Sequence, residues 1–248
     1  MDKLLLNIFA TILLFVSTLF AIVNSAIKNK KFICNRYILN TYLYIILTLN
    51  IIAIQVLLMK YNKVNFNPNL LLVIGIFILT IVCIITLHRI SPKQMILKHS
   101  VWILFILLMG LMFYPMYLIY SKQQGLIMST ILTTLILFVG LSLLAYLNPD
   151  LISLSLGPVL FVLLSSGVIM ELVMLFILPK NYVSKKGFKL MSYFFIGLFM
   201  MYVLYDTKRL QINAKNCIVA DYISESLKLF LDIWNIFIRL LSLNRSNK

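Results

Sequence analysis

Charge is scarce in this chain, and negative charge above all. Of its 248 residues only 12% are charged, with 7 Asp+Glu against 22 Lys+Arg, and 62% are hydrophobic. With a mean hydropathy of +1.02, too little polar surface exists to cover a water-soluble domain. Cysteine is scarce as well: Cys34, Cys83 and Cys217 are odd in number and far apart. No disulfide framework and no metal-ligand spacing follows from them, so they read as small apolar or interfacial side chains. The net charge of +15 invites a nucleic-acid reading. The basic residues lie between apolar runs, however, as they do in membrane loops, and nucleic acid is excluded as a partner. No arrangement of residues points to an enzyme, and none is expected.

What the chain has in quantity is uninterrupted apolar sequence. Runs cover 4–27, 37–59, 70–87, 100–120, 126–147, 151–179 and 190–205, with a less apolar segment at 223–243. Roughly 20 apolar residues cross a bilayer core, so the class is an all-α integral membrane protein. Glu171 is the one ionised side chain within the first seven runs. The connecting stretches are short, which implies one compact transmembrane domain with no soluble domain and no internal repeat.

The run 4–27 follows Met-Asp-Lys and ends near Val-Asn-Ser-Ala. It is longer than the apolar core of a cleaved leader, about 7–15 residues, which favours an uncleaved first helix or signal anchor over a signal peptide. Residues 1–29 are therefore set apart from a bundle at 30–248. For orientation, the stretches 28–36, 88–98 and 207–215 share one side and hold ten Lys/Arg. The opposite loops hold seven, four of them at 180–189. The positive-inside rule leans toward a cytoplasmic 28–36. Pro115 and Gly157-Pro158 fall inside apolar runs, where they read as kinks, and Gly110 and Gly140 read as close-packing positions.

The last segment differs from the rest. Glu225, Lys228, Asp232, Asn235, Arg239 and Ser242 recur at steps of 3, 4, 3, 4 and 3, which places them on one stripe of a helix. Such a helix either lies on the membrane surface with the stripe in water, Lys228 and Asp232 paired at i,i+4, or inserts with the stripe facing a polar interior. Periodicity alone slightly favours the surface helix. A second aspartate, Asp206 in MYVLYDTKRL, shifts the balance. By itself it could mark a helix ending in water. A modest loop, though, lets adjacent antiparallel helices bring Asp206 and Asp232 together. Two carboxylates within hydrogen-bonding reach cannot both ionise cheaply, so they share a proton and titrate as a unit. When ionised, the pair offers hard oxygen ligands suited to calcium.

These two stretches carry a resemblance. MYVLYDTKRLQ followed by ISESLKLFLDIWNIFIRLL resembles the C-terminal signature of the Bax inhibitor-1 (transmembrane Bax inhibitor motif) family. Tyr202, Leu204, Tyr205, Asp206 and Thr207 match its first half. Leu227, Leu229, Leu231, Asp232, Asn235 and Phe237 match its second, with Phe230 in place of the usual Tyr. Upstream, FICNRYILNTYLYIILTLNI, GLMFYPM and ILTTLILFVGLSLLAYLNPDLISL are similar to the first, third and fourth family helices. The acidic residue often present in the third or fourth helix is missing around Met109 and Ser129.

The resemblance implies a seven-helix Bax-inhibitor-like bundle with an additional N-terminal helix. It further implies a pH-sensitive calcium leak and suppression of apoptosis. Asp206 and Asp232 would be the proton-sharing dyad and a transient calcium site. Arg89 would be a latch, and Asn235 and Thr207 supporting polar groups. Glu171 has no clear family counterpart, and it is read separately, as a lone charge in an apolar run, as a pathway residue. No cofactor is implied beyond calcium as the permeant ion. Partners would be membrane lipid, calcium, protons, and cell-death regulators or other channels. The membrane would be that of the endoplasmic reticulum or Golgi in a eukaryotic or viral setting, and the plasma membrane in a bacterial one. A non-conducting interaction protein and a proton-coupled carrier are the competing readings.

Overall fold

A computed structural model describes residues 3–28, 31–123, 125–176 and 185–246. Among them are eight α-helices: α1 (Lys3–Ala26), α2 (Tyr37–Tyr61), α3 (Leu70–Arg89), α4 (Met95–Tyr120), α5 (Leu126–Leu147), α6 (Gly157–Phe176), α7 (Lys185–Lys215) and α8 (Tyr222–Ser246). The departures from helix are a short antiparallel pair, β1 (Ile27–Lys28) with β2 (Lys31–Phe32), and two 3-10 turns before α6, Pro149–Leu151 and Leu154–Leu156. Residues 177–179 of the run read at 151–179, and residues 180–184 of the basic stretch after it, lie outside the described residues.

Seven helical stretches among the described residues are long and apolar enough to cross a membrane; α8 is not one of them. Large apolar side chains stand exposed along them, including Phe20 at 71%, Leu71 at 81% and Ile136 at 72%. Water would not tolerate so continuous an apolar surface, whereas hydrocarbon requires it.

The chain divides into two compact units: residues 1–122 with 214–227, and residues 123–213 with 228–248. In the first unit, α1 packs on α2, and α4 packs on α2 and α3. Gly110 of α4 faces Gln55 of α2 so closely that an added Cβ would sit 2.1 Å from Gln55 Oε1. In the second unit, Ala145, Ile152 and Leu204 are buried together, with Leu141, Leu156 and Tyr205 against them.

Three expectations from the sequence are corrected. The first concerns cysteine. Cys34 and Cys217 form a disulfide across 183 residues of sequence, leaving buried Cys83 as the free thiol among the described residues. Spacing could not show this, because the two residues meet only after α2 and the α7–α8 loop are placed. The second concerns α4, which begins at Met95 and so takes Lys98 out of the loop read at 88–98. Lys98 is fully buried, and its ammonium donates to Asp221 Oδ2 at 2.6 Å and to the Ile90 carbonyl at 3.1 Å. The third concerns α7, which does not stop near residue 205 but continues to Lys215. The Lys208 ammonium donates to the Ile152 carbonyl at 2.6 Å, and the Gln211 amide to the Tyr146 carbonyl at 3.1 Å. Those anchors let a polar stretch remain helical.

The start of α8 is held tightly within the first unit. Asp221 Oδ1 accepts from the Ser224 amide at 3.2 Å, an N-terminal cap, while Oδ2 takes Lys98. The Tyr222 hydroxyl donates to the Ile33 carbonyl and accepts from Asn40 Nδ2 at 3.2 Å. Its ring stacks against Tyr44 at 6.0 Å. Asn40 in turn accepts the Ser25 hydroxyl of α1 at 2.6 Å.

Four outcomes test this arrangement. Denatured, unreduced protein should take up a thiol-reactive polymer tag at one cysteine and reduced protein at three. Cys34→Ser should lower stability by about 2–5 kcal/mol. Asp221→Asn keeps the cap but strands the buried Lys98 ammonium. It should cost about 2–4 kcal/mol, less than for a fully buried pair, because Asp221 keeps 25% of its side chain exposed. Lys98→Met should cost about 1 kcal/mol or less, since Asp221 can hydrate and still cap α8. Thermal denaturation in detergent measures all three.

Candidate functional site

Residues of α7 and α8 supply the candidate site in the second unit. Both aspartates singled out from the sequence fall in this unit. Asp206 lies within α7 rather than at its end, and it is half-buried; Asp232 is 4% exposed, ten residues into α8. The Asp206 carboxylate acts electrostatically on Asp232, and both act on the Tyr202 hydroxyl one turn back along α7. Asp232 Oδ2 is buried with no hydrogen-bond partner among the described residues, and the same holds for Thr207 Oγ1 next to Asp206. A buried carboxylate oxygen lacking a donor is expensive as an anion, because nothing replaces the water it has lost.

Local sequence explains why α7 comes so close here. Gly157 opens α6 against Tyr205, the neighbour of Asp206. A Cβ at Gly157 would stand 2.4 Å from the Tyr205 hydroxyl oxygen. Pro158, next in the chain, sits in the first turn of α6, where its missing N–H costs no helical hydrogen bond. The two 3-10 turns before α6 carry Ile152, whose carbonyl receives Lys208. Gly157 and Lys208 therefore fix Tyr205 and α7 on either side of Asp206.

The burial of α8 decides between the two readings of its stripe. Side chains on every face of it are buried, including Ile223, Leu227, Phe230, Ile233, Ile236 and Leu241, as well as Ser224, Ser226 and Asp232. It is not a helix lying half in water.

A second charged contact stands farther along α8. Arg239 holds Glu171 of α6 through two bonds, Nη1 to Oε1 at 2.5 Å and Nη2 to Oε2 at 2.6 Å. Its guanidinium lies 4.3 Å from the ring centroid of Phe195 on α7. Gly167, one turn before Glu171, lets the Phe194 and Phe195 rings press onto α6, with an added Cβ 2.8 Å from Phe194. Beyond it, Asn244 Nδ2 donates to the Thr130 hydroxyl of α5 at 3.1 Å. The sequence showed Glu171 as a lone charge in an apolar run and Arg239 as a member of the stripe. Charge complementarity was the available signal for joining them.

The remaining residues behave differently. Asn235 donates from its amide to the Leu231 carbonyl of its own helix at 2.8 Å. Arg89 is the exposed last residue of α3, in the first unit. No group of three or more His, Cys, Asp or Glu among the described residues converges as a metal site. The two aspartates supply carboxylate oxygens, which are hard ligands.

The chain matches the family described as "Inhibitor of apoptosis-promoting Bax1" over residues 34–248, a stretch that begins after α1 and contains both aspartates. No curated protein matches it. A match over most of the chain, on a helical bundle whose buried α8 carries Asp232 beside Asp206, establishes that this multi-pass membrane protein belongs to the Bax inhibitor-1 family.

Proposed function

We propose that the protein is a proton-sensitive calcium leak whose pathway is controlled by Asp206 and Asp232. The observation that carries this reading is Asp232 itself: buried, electrostatically linked to Asp206, and with one oxygen lacking a donor. Such a pair is intolerant of two negative charges and tolerant of one shared proton. Gain or loss of that proton changes the charge around buried Asp232 by one unit.

The deprotonated pair presents oxygen ligands to a hard cation. With at most two protein carboxylates the ion is held weakly, and weak holding favours passage over storage. Tyr202 is a hydroxyl within electrostatic reach of both aspartates. The family's description connects its members with apoptosis. A leak that lowers the calcium stored behind an intracellular membrane is a physical route from this site to suppression of cell death. In this reading the membrane is that of the endoplasmic reticulum or Golgi.

Calcium flux from purified protein in liposomes, across a pH series, tests the proposal. One shared proton limits the steepest response to about tenfold in flux per pH unit. Asp206→Asn and Asp232→Asn should each flatten that response. Variants that keep both the flux and its pH dependence would remove the dyad from the mechanism. Wild-type protein without flux at any pH would favour a non-conducting interaction protein.

A further inference from the structure

The contact between Glu171 and Arg239 is not needed by the dyad and is costly for a membrane helix to carry. An apolar pair of similar volume would pack α6 against α8 without desolvating two charges. Four features set this contact apart from a simple staple. It uses both guanidinium nitrogens and both carboxylate oxygens. It lies on the same stripe of α8 as Asp232, seven residues farther on, or about 10 Å along the axis. Its side chains are 20% and 22% exposed, whereas Asp232 is 4% exposed. The guanidinium also has a second seat, the face of Phe195 at 4.3 Å, which does not depend on Glu171.

We propose that Glu171 and Arg239 form a second station of the cation pathway, where Arg239 is the tethered counter-ion of a carboxylate that otherwise receives the passing divalent cation. This rests on the leak reading given above. With Arg239 engaged, the station carries no net charge and does not attract cations. A calcium ion competes with the guanidinium for Glu171 Oε1 and Oε2, both hard oxygen donors, while Arg239 remains over Phe195. When the ion moves on, the fork closes again. Glu171 supplies the attraction at this station, and Arg239 limits how long it acts. Gly167 contributes indirectly, by letting Phe195 come close enough to seat the guanidinium.

The two charges therefore have opposite effects on flux, which a structural staple does not predict. Calcium flux into liposomes from the full chain is compared for wild type, Arg239→Gln, Glu171→Gln, the double variant and Arg239→Lys. Arg239→Gln exposes the carboxylate and should raise flux. Glu171→Gln leaves an uncompensated cation on the path and should lower it. One unit charge acting over about 10 Å at intermediate dielectric changes occupancy by on the order of threefold to tenfold in each direction. The double variant, with no stranded charge to bury, should fold and return flux toward wild type. Arg239→Lys keeps the charge but loses the fork, and it should leak as wild type does.

Flux that falls in both single variants and in Arg239→Lys, together with melting temperature, identifies a staple and overturns the proposal while leaving the leak intact. Flux indifferent to all four variants also overturns it. A silent wild type removes the leak and this station together. A pH response lost in Asp206→Asn but kept in Arg239→Gln supports two separate stations.

Discussion

The organising constraint of this protein is the carboxylate of Asp232 in an apolar bundle. A carboxylate there must be neutralised, shared or solvated, and a second carboxylate, that of Asp206, acts on it electrostatically. Much of the second unit's local design follows from that pairing. Gly157 brings α6 onto Tyr205, Lys208 ties α7 to the Ile152 carbonyl, and both fix the turn that carries Asp206. A proton held between two acids is stabilising, whereas two bare anions are not. In the proposed reading, the proton shared by this pair lies where α7 meets α8.

The first unit solves a different problem. It holds the first turn of α8 through groups other than Asp206 and Asp232. Asp221 caps the helix and neutralises Lys98, Tyr222 is fixed between the Ile33 carbonyl and Asn40, and the Cys34–Cys217 disulfide joins the loop before α8 to the segment before α2. The same helix thus has a start tied by covalent, capped and aromatic contacts, and a middle that carries titratable and charged groups. Rigid at one end and polar along one stripe, α8 is suited to respond at Asp232 without losing its anchorage. Glu171 and Arg239 place a further charged contact along it.

The helices were legible in the sequence because hydrocarbon imposes a length and a composition that few other environments do. The stripe of α8 was legible because six polar residues at helical spacing stand out against an apolar background. Its burial was not, since periodicity describes which residues share a face and not what covers that face. Asp206 and Asp232 could be connected through their matching contexts. The α7 boundary was misread because Asp206-Thr207-Lys208-Arg209 has the composition of a helix end, and only tertiary carbonyl partners for Lys208 and Gln211 keep it helical. The Lys98–Asp221 pair and the disulfide were illegible for the same reason: their partners lie 123 and 183 residues apart in the chain, and no local pattern joins them.

The central claim is that Asp206 and Asp232 hold one proton between them. Infrared difference spectroscopy of the full chain in lipid, titrated with pH, observes protonated carboxyl groups directly. One carboxyl band should titrate as a single unit, and both Asp232→Asn and Asp206→Asn should alter it. A band absent at every pH, or one that Asp206→Asn leaves unchanged, would contradict that claim.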